Sequence, residues 1–233
     1  QKIVKILDET SVKKVVFASV GDSMPLIMKT LYSLTSKNPK PSKNDSRYIC
    51  WKAFRSYEKA VNEFSPEGAE NDEPAIILHS GGTTGIPKDI QLSNRNFNAF
   101  GIQAVLTLTD VSVGDKILAI LPIFHGFGLG VCVHVAFCFG ACSVLIPQFN
   151  AKKFVGIIKK YKPTMLFGVP TLYEALIKAK GTEKLDLSFL KYVISGGDSL
   201  PSQLENNVNE FLKKRNSSVK ICEGYGMTEG LAA

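Results

Sequence analysis

The chain has few cysteines and histidines, and their spacing gives neither a disulfide framework nor a zinc site. It contains five cysteines and three histidines among 233 residues. The number of cysteines is odd, no Cys-x-x-Cys pair occurs, and no histidine lies at metal-ligand spacing from a cysteine. Cys132, Cys138 and Cys142 fall in an apolar stretch. The sequence therefore predicts reduced core thiols in a cytoplasmic protein.

The chain also lacks a dense basic segment of the kind that binds nucleic acid, although its net charge is +7. The lysines are scattered, as in the pairs at 13–14 and 213–214, and aromatic residues do not interleave with them. A basic balance still favours anionic partners such as nucleotide phosphates and CoA. We therefore expect solvated lysine-bearing helix faces and small anionic ligands, with no nucleic acid partner.

A signal peptide is absent, since the first residues contain no sustained apolar region. Because the chain begins with Gln1 rather than methionine, we expect a fragment or a trimmed form. The stretch from 117 to 151 contains no Lys, Arg, Asp or Glu and is long enough to span a bilayer. Prolines and glycines interrupt it, so we predict a strand, a loop, a buried helix and a second strand, with no transmembrane segment.

Short apolar runs alternate with segments of helical period along the chain. We predict strands at 15–19, 75–78, 116–121, 144–146, 164–169, 192–195 and 219–222. Helices are expected at 26–34, 51–64, 151–161, 171–180 and 202–214, the last opened by a capping box from Ser202 to Glu205, and another helix follows the N-cap Ser93. This alternation indicates an α/β fold with mainly parallel β-sheets flanked by helices. Ligands bind such sheets at the carboxyl ends of the strands.

A glycine- and threonine-rich loop directly follows the predicted strand at 75–78. Its residues are Ser80, Gly81, Gly82, Thr83, Thr84, Gly85, Ile86, Pro87 and Lys88. Glycines let the backbone approach an anion closely, consecutive N–H groups can form an anion-binding nest, and the hydroxyls and the lysine add donors and charge. The loop differs from a Walker A motif because Pro87 precedes the lysine and Asp89 follows it. We predict that it binds phosphate.

Two further segments lie downstream of this loop. The stretch 121–128 reads LPIFHGFG, with Phe124 and His125 at its centre, and an isolated histidine there could equally be structural. The stretch 194–201 reads ISGGDSLP, where Gly196 and Gly197 leave room for a flat base to lie against the backbone.

The stretch 224–229 reads GYGMTE and directly follows the last predicted strand. Tyr225 lies between two glycines, so its ring can stack on a base without a neighbouring side chain in the way. The Thr228 hydroxyl and the Glu229 carboxylate suit a phosphate and its Mg²⁺, which prefers oxygen ligands. We therefore predict nucleotide binding here as well.

In this order the four segments resemble the adenylate-forming superfamily, and in particular acyl-CoA synthetases of the long-chain fatty acid–CoA ligase type. The superfamily also includes luciferases and the adenylation domains of peptide synthetases. Its signature loop typically reads Ser/Thr-Gly-Thr-Thr-Gly-x-Pro-Lys-Gly, which residues 82–88 match position by position. Gly81 stands where the family often has Ser, Asp89 where it usually has Gly, and Asp198 where it often has a small residue.

The resemblance implies an ATP-dependent acid–thiol ligase that uses Mg²⁺ and takes CoA as co-substrate. Such an enzyme activates a carboxylic acid to an acyl-adenylate, from which CoA forms a thioester. The implied catalytic residues are Lys88, Thr228, Glu229 and His125, and the implied metal ligands are Glu229 and Thr83. The implied nucleotide-binding residues are Ser80, Gly81, Gly82, Thr83, Thr84, Gly85, Lys88, Gly196, Gly197, Asp198, Gly224, Tyr225, Gly226, Met227 and Thr228.

By the same resemblance the chain is an incomplete N-terminal AMP-binding domain. Residues 1–72 form a leading α/β portion and residues 73–233 the nucleotide-binding portion, while the C-terminal domain with its catalytic lysine is absent. We therefore expect weak nucleotide binding without efficient adenylation. A nucleotide-binding module without turnover is the alternative.

The acid substrate is expected to be a fatty or other apolar acid, because an apolar region could line its pocket. This region comprises Phe124, Phe127, Val131, Val133, Phe137 and Phe139. The same side chains could simply form core, since apolar residues usually pack inside. An aromatic acid or an amino acid is the second interpretation, although no Asp can be assigned to hold an amino group.

Overall fold

A computed structural model of the chain describes residues 6–35, 45–57, 72–80, 87–146 and 149–232. The chain divides into two compact units, residues 1–68 and 69–233. In the first unit, strands β1 (Val15–Phe17) and β2 (Tyr48–Cys50) pair in parallel, and the helices are α1 (Leu26–Thr35) and α2 (Trp51–Ser56). The strand predicted at 15–19 and the helix predicted at 26–34 are confirmed. The helix predicted at 51–64 is confirmed up to Ser56, and its part beyond residue 57 lies outside the described residues.

The second unit begins with an antiparallel hairpin that leads into a helix. Strand β3 (Pro74–Ser80) pairs with β4 (Lys88–Ser93), and helix α3 (Asn94–Thr107) follows. Ser93 is the N-cap of α3, as predicted. Its hydroxyl accepts a hydrogen bond from the Asn96 N–H, and the Asn96 side chain accepts one from the Ser93 N–H. Strand β4 itself was not predicted.

A parallel sheet forms the centre of the second unit. Its strands are β5 (Lys116–Ala119), β6 (Cys142–Leu145), β7 (Met165–Gly168), β8 (Tyr192–Ser195) and β9 (Ile221–Glu223). The connecting helices are a π-helix (Phe127–Val135) that continues as α4 (Ala136–Cys138), then α5 (Ala151–Tyr161), α6 (Pro170–Lys178) and α7 (Ser202–Lys213). The strands are ordered β6-β5-β7-β8-β9. The predicted α/β fold with mainly parallel sheets is confirmed, and every predicted strand overlaps an observed one.

The sheet is buried on both faces, which is why its strands read as continuous apolar runs. On one face, Leu118 and Leu166 pack against helices α5, α6 and α7. On the other face, Ile117 and Phe167 pack against the π-helix, including its fully buried Cys132. Neighbouring residues of one strand thus point to opposite faces, as the pleat requires.

An ion pair joins the starts of strands β5 and β8, at the edge of the sheet where the strands begin. The Lys191 ammonium lies 2.9 Å from the Asp115 carboxylate. Burial by itself raises the pKa of Asp115, but the hydrogen bond from the Ser112 N–H and the charge of Lys191 outweigh it, so that this pKa lies below its usual range. The carboxylate is therefore ionised at neutral pH and holds the two strand ends together.

The stretch without charged residues forms β5, the π-helix with α4, and β6, which confirms the predicted strand, buried helix and strand. Within the described ranges, no helix combines the length and the apolar composition needed to cross a bilayer.

The prediction of core thiols is confirmed for Cys132, whose burial raises its pKa to about 12. It is wrong for Cys138 and Cys142, which are exposed because one ends α4 and the other begins the edge strand β6. All five cysteines are free.

The capping box predicted from Ser202 to Glu205 is wrong. The N-cap of α7 is Pro201, which has extended backbone angles, and no side chain among the described residues caps the helix. Ser202 is therefore already the first helical residue. Its hydroxyl lies one position beyond the place from which an N-cap side chain accepts the hydrogen bond of the first turn.

Candidate functional site

A cavity of about 410 Å³ opens beside the carboxyl ends of the central strands. Helix α3 and the π-helix contribute two of its walls, and Phe167 of β7 and Ile194 of β8 also line it. The turns that follow β8 and β9 complete the lining. This position agrees with the general placement of ligands at the carboxyl edge of parallel sheets.

The turns after β8 and β9 lie side by side because these strands are parallel neighbours. The Gly224 N–H donates to the Ser195 carbonyl at 2.7 Å. A Cβ on Gly196 would come within 3.1 Å of both the Gly224 carbonyl oxygen and the Phe127 ring. Gly197 has a φ of +79°, which residues other than glycine rarely adopt. The glycines therefore let the two turns meet at the cavity, which is lined by Gly196, Gly197, Gly224 and Gly226.

The segment after β9 presents its predicted nucleotide-binding side chains at the mouth of the cavity. Tyr225 is 85% exposed, and it lines the cavity together with Met227. Thr228 also lines the cavity and begins a short 3₁₀ helix, Thr228–Gly230. Glu229 is exposed and lies next to the lining rather than in it. An accessible aromatic ring, a hydroxyl and a carboxylate thus follow one another along this segment.

Of the other predicted residues, His125 lines the cavity, whereas Phe124 and Asp198 do not. The Nδ1 atom of His125 accepts the Phe127 N–H at 3.2 Å, which leaves the Nε2 atom as the N–H donor of the neutral ring. Phe124 is 79% exposed, and Phe127 occupies the wall instead. The Asp198 carboxylate accepts the N–H of Ser199 at 2.8 Å and so closes its own turn.

The π-helix wall agrees in part with the apolar region predicted for an acyl pocket. Phe127 and Val131 line the cavity as expected, and Val135 extends the same wall. Phe137 is exposed, and neither Val133 nor Phe139 belongs to the lining. The predicted apolar character is therefore present, but a partly different set of side chains provides it.

Helix α3 forms a wall that the sequence analysis missed. Its lining residues are Phe100, Gln103, Ala104 and Thr107, and its C-cap Leu108 also lines the cavity. They recur at three- and four-residue intervals, as residues on one face of a helix do. This periodicity was readable in the sequence, but it does not distinguish a cavity wall from ordinary core.

The β3–β4 hairpin brings Ser80 and Lys88 opposite each other at the ends of its two strands. The predicted loop residues between them lie outside the described residues: Gly81, Gly82, Thr83, Thr84 and Gly85. Both strands contact the Thr228–Gly230 helix. Leu78 of the hairpin and Leu231 share one buried cluster. The two strands that flank the predicted phosphate loop and the Thr228 segment are therefore neighbours.

Leu231 anchors the segment that carries Thr228. Its side chain is 1% exposed and packs with Val135 of the π-helix. A Cβ on Gly126 would overlap the Leu231 carbonyl oxygen, and a Cβ on Gly130 would come within 3.0 Å of the Leu231 side chain. Small residues at the start of the π-helix are therefore what allows this close approach.

The donor set around Thr228 is compatible with Mg²⁺ that is bound together with a nucleotide. In the part of the chain that the structure describes, no three His, Cys, Asp or Glu side chains converge as a metal site. Glu229 supplies a single carboxylate, and in nucleotide sites Mg²⁺ is held by one or two carboxylates together with phosphates and water. The second predicted ligand, Thr83, lies outside the described residues.

Comparison with known sequences gives a consistent family. A family model described as AMP-binding enzyme matches residues 1–233. The long-chain-fatty-acid–CoA ligase of Bacillus subtilis (strain 168) is 29% identical over 235 residues, which cover 98% of this chain and 40% of that ligase. The 4-coumarate–CoA ligase-like 9 of Arabidopsis thaliana is 34% identical over 188 residues, which cover 80% of this chain and 32% of that protein. The chain thus spans less than half the length of these relatives.

Solved structures show the same fold. A long-chain-fatty-acid-CoA ligase from Archaeoglobus fulgidus gives a TM-score of 0.74 at 21% identity, over 99% of this chain and 46% of that one. MatB from Rhodopseudomonas palustris, solved with ATP bound, gives a TM-score of 0.66 at 25% identity, over 78% of this chain and 35% of that one.

Proposed function

The chain belongs to the AMP-binding enzyme family, and on that premise we propose that it contributes the nucleotide- and acid-binding part of an adenylate-forming CoA ligase. In the proposed reaction, a carboxylate oxygen attacks the α-phosphorus of ATP, and the bond to pyrophosphate breaks. The sulfur of CoA then attacks the acyl carbon and releases AMP, which gives the thioester. A carboxylate is a weak nucleophile, so positioning and charge stabilisation dominate such catalysis.

One observation carries the proposal. The two glycine turns, the accessible Tyr225 ring, Thr228 and His125 all line one cavity, and the hairpin with Lys88 contacts the segment of Thr228. This set combines a surface for a flat base and donors for phosphate in one cavity, with a cation on the neighbouring hairpin.

Each side chain has a proposed role in this site. The base lies between the Gly196–Gly197 turn and the Tyr225 ring, and the Thr228 hydroxyl donates to the α-phosphate. The Lys88 ammonium neutralises the outer phosphates, and the binding role of residues 80–85 stays a prediction. Glu229 would hold Mg²⁺, which supplies positive charge to the phosphates when it is bound.

His125 has a proposed role on the acid side of the cavity. Its Nε2–H is free to donate because Nδ1 already accepts the Phe127 N–H. A donor at the cavity wall suits the carboxylate of the acid or the acyl oxygen that the thiol attack makes more negative.

For the acid we propose an apolar chain, with an aromatic acid as the alternative. The two walls combine Phe100 and Ala104 of α3 and its C-cap Leu108 with Phe127, Val131 and Val135 of the π-helix. No Asp or Glu is among the described lining residues, which argues against an amino acid, because its ammonium would need a counter-charge. A fatty acid and a coumarate-like acid would both suit an apolar cavity of this size. The five free thiols also fit a reducing compartment such as the cytoplasm.

The test is calorimetric titration of the chain with ATP and Mg²⁺, using the Tyr225→Ala variant. Stacking of a base on an aromatic ring is worth about 1–3 kcal/mol, so we expect binding to weaken about fivefold or more. Tyr225→Phe is the matched control and should bind like the unmodified chain. Because the ring is 85% exposed, thermal unfolding should not change in either variant.

A chain that takes up no ATP, or a Tyr225→Ala variant with unaltered affinity, would contradict the proposed nucleotide site. The alternative of nucleotide binding without turnover is separated by ATP–pyrophosphate exchange. Exchange stimulated by a saturated fatty acid, or by 4-coumarate, would also identify the class of acid.

A further inference from the structure

Asp89 directly follows Lys88, so a carboxylate is adjacent to the lysine proposed to bind phosphate. An unpaired carboxylate near that ammonium would attract it and would repel an anionic ligand. The structure shows where the carboxylate goes instead. The Asp89 Oδ1 atom lies 2.6 Å from Nδ1 of His79, which is its direct partner across the β3–β4 hairpin.

The pleat of the hairpin separates Lys88 from this pair. Directly opposite residues share a face of a sheet, and successive residues along a strand alternate between faces. Ser80 and Lys88 therefore share the face of Leu78, which is buried in the same cluster as Leu231. This face lies toward the segment of Thr228.

His79 and Asp89 lie on the opposite face, which is open to solvent. Their side chains are 71% and 69% exposed. Lys88 forms no ion pair with any of the residues that the structure describes. The ammonium of Lys88 is thus not neutralised by the carboxylate next to it in sequence.

The pleat directs the Asp89 side chain to the solvent face, and we propose that His79 is a positioning residue that fixes the carboxylate there, away from the Lys88 ammonium, and so leaves Lys88 available to phosphate. This inference rests on the proposed function, because it requires Lys88 to meet the phosphates of the nucleotide. Without His79, the short Asp89 side chain loses its partner, and the long, flexible side chain of Lys88 can reach the freed carboxylate. The two charges would then partly cancel.

The test compares His79→Ala, Asp89→Asn and the double variant by calorimetric titration with ATP, and with adenosine, which has no phosphate. His79→Ala should bind ATP about threefold more weakly, the scale of an exposed ion pair, and adenosine equally well. Asp89→Asn removes the competing charge, so ATP affinity should equal or exceed that of the unmodified chain. The double variant should therefore recover the affinity that His79→Ala loses.

This recovery distinguishes positioning from a merely structural cross-strand contact. A structural contact would make Asp89→Asn as harmful as His79→Ala, and the double variant would show no recovery. The matched control is Lys214→Ala, which breaks the exposed Lys214–Glu210 pair at the C-terminal end of α7 and should change neither affinity.

The outcomes separate this inference from the proposed function. If the unmodified chain binds no ATP, the proposed function fails and the role of His79 fails with it. If ATP binds the unmodified chain and His79→Ala with the same affinity, or if adenosine binding falls as much as ATP binding, only the inference about His79 is overturned.

Discussion

Replacement of Gly126 by alanine should displace the segment that carries Thr228. Gly126 has helical backbone angles, φ −52° and ψ −42°, so alanine is compatible with the local conformation. The new Cβ, however, would come within 3.0 Å of the Leu231 carbonyl carbon and still closer to its oxygen. Since non-bonded carbon atoms prefer separations of about 3.5–4.0 Å, the Leu231 backbone must retreat by roughly 1 Å. No side-chain rotation can relieve a contact between a Cβ and a backbone group.

The cost follows from this displacement. Overpacking of a tight core contact typically costs about 1–3 kcal/mol, and we expect about 2 kcal/mol for Gly126→Ala. Thr228 lies three residues before Leu231 and moves with it, so the proposed hydrogen bond to the phosphate weakens. A hydrogen bond to a charged group is worth about 1.5–3 kcal/mol, so its complete loss would weaken ATP binding by about tenfold or more.

The assays are urea unfolding followed by circular dichroism and calorimetric titration with ATP. Gly156→Ala is the matched control, because Gly156 lies inside α5 and a Cβ there meets no atom of the described residues within 4 Å. The control should gain about 0.5–1 kcal/mol of stability and bind ATP normally. Equal stability and equal ATP affinity of the two variants would refute the reasoning.

Two further predictions concern stability alone. The Ser195 hydroxyl is fully buried and has no hydrogen-bond partner in the described ranges, so Ser195→Ala should raise the free energy of unfolding by about 1 kcal/mol, measured in urea. Ser143→Ala is the control and should lose stability, because the Ser143 hydroxyl donates to the Cys132 carbonyl at 2.7 Å; a loss in both variants would contradict this account. The pKa of Asp115 is lower in the folded chain than in the unfolded chain, where it has the ordinary Asp value of about 3.9. The pair with Lys191 therefore stabilises the fold fully at pH values above about 3.9, and this stabilisation is lost as the pH falls through the lower pKa of the folded state. Asp115→Asn should therefore be less stable than the unmodified chain at pH 7, with a difference that shrinks below about pH 3.9 in urea titrations; a difference independent of pH would exclude the ionic explanation.

The strands and the glycine turns could be predicted because their signals are local. A buried parallel strand reads as an apolar run, and the turns after β8 and β9 are marked by glycines at the points where backbones meet. Tyr225 and Thr228 were found in this way, and the structure brings both to one cavity with His125.

The missed features depend on tertiary contacts. Strand β4 has the polar residues Lys88, Asp89 and Gln91, so no apolar run marks it, and it exists because it pairs with β3. The N-cap of α7 is Pro201 rather than Ser202 because the chain becomes helical one residue earlier than the serine pattern indicates. The α3 wall shows a helical period that any amphipathic helix would show, and only the arrangement of neighbouring elements identifies it as part of a cavity.

In the π-helix, the number of residues is more strongly constrained than the identity of the side chains that line the cavity. Phe127, Val131 and Val135 line the cavity at regular four-residue intervals, so each of these lining residues lies about one helical turn after the previous one. Insertion or deletion of one residue within 128–130 would rotate both valines off the wall while Phe127 stayed in place. Replacement of one of these three residues by a larger or smaller apolar residue would instead change the width of the cavity only beside that residue. Proteins that share this architecture should therefore differ by substitutions at these three positions, while the number of residues between the positions stays constant.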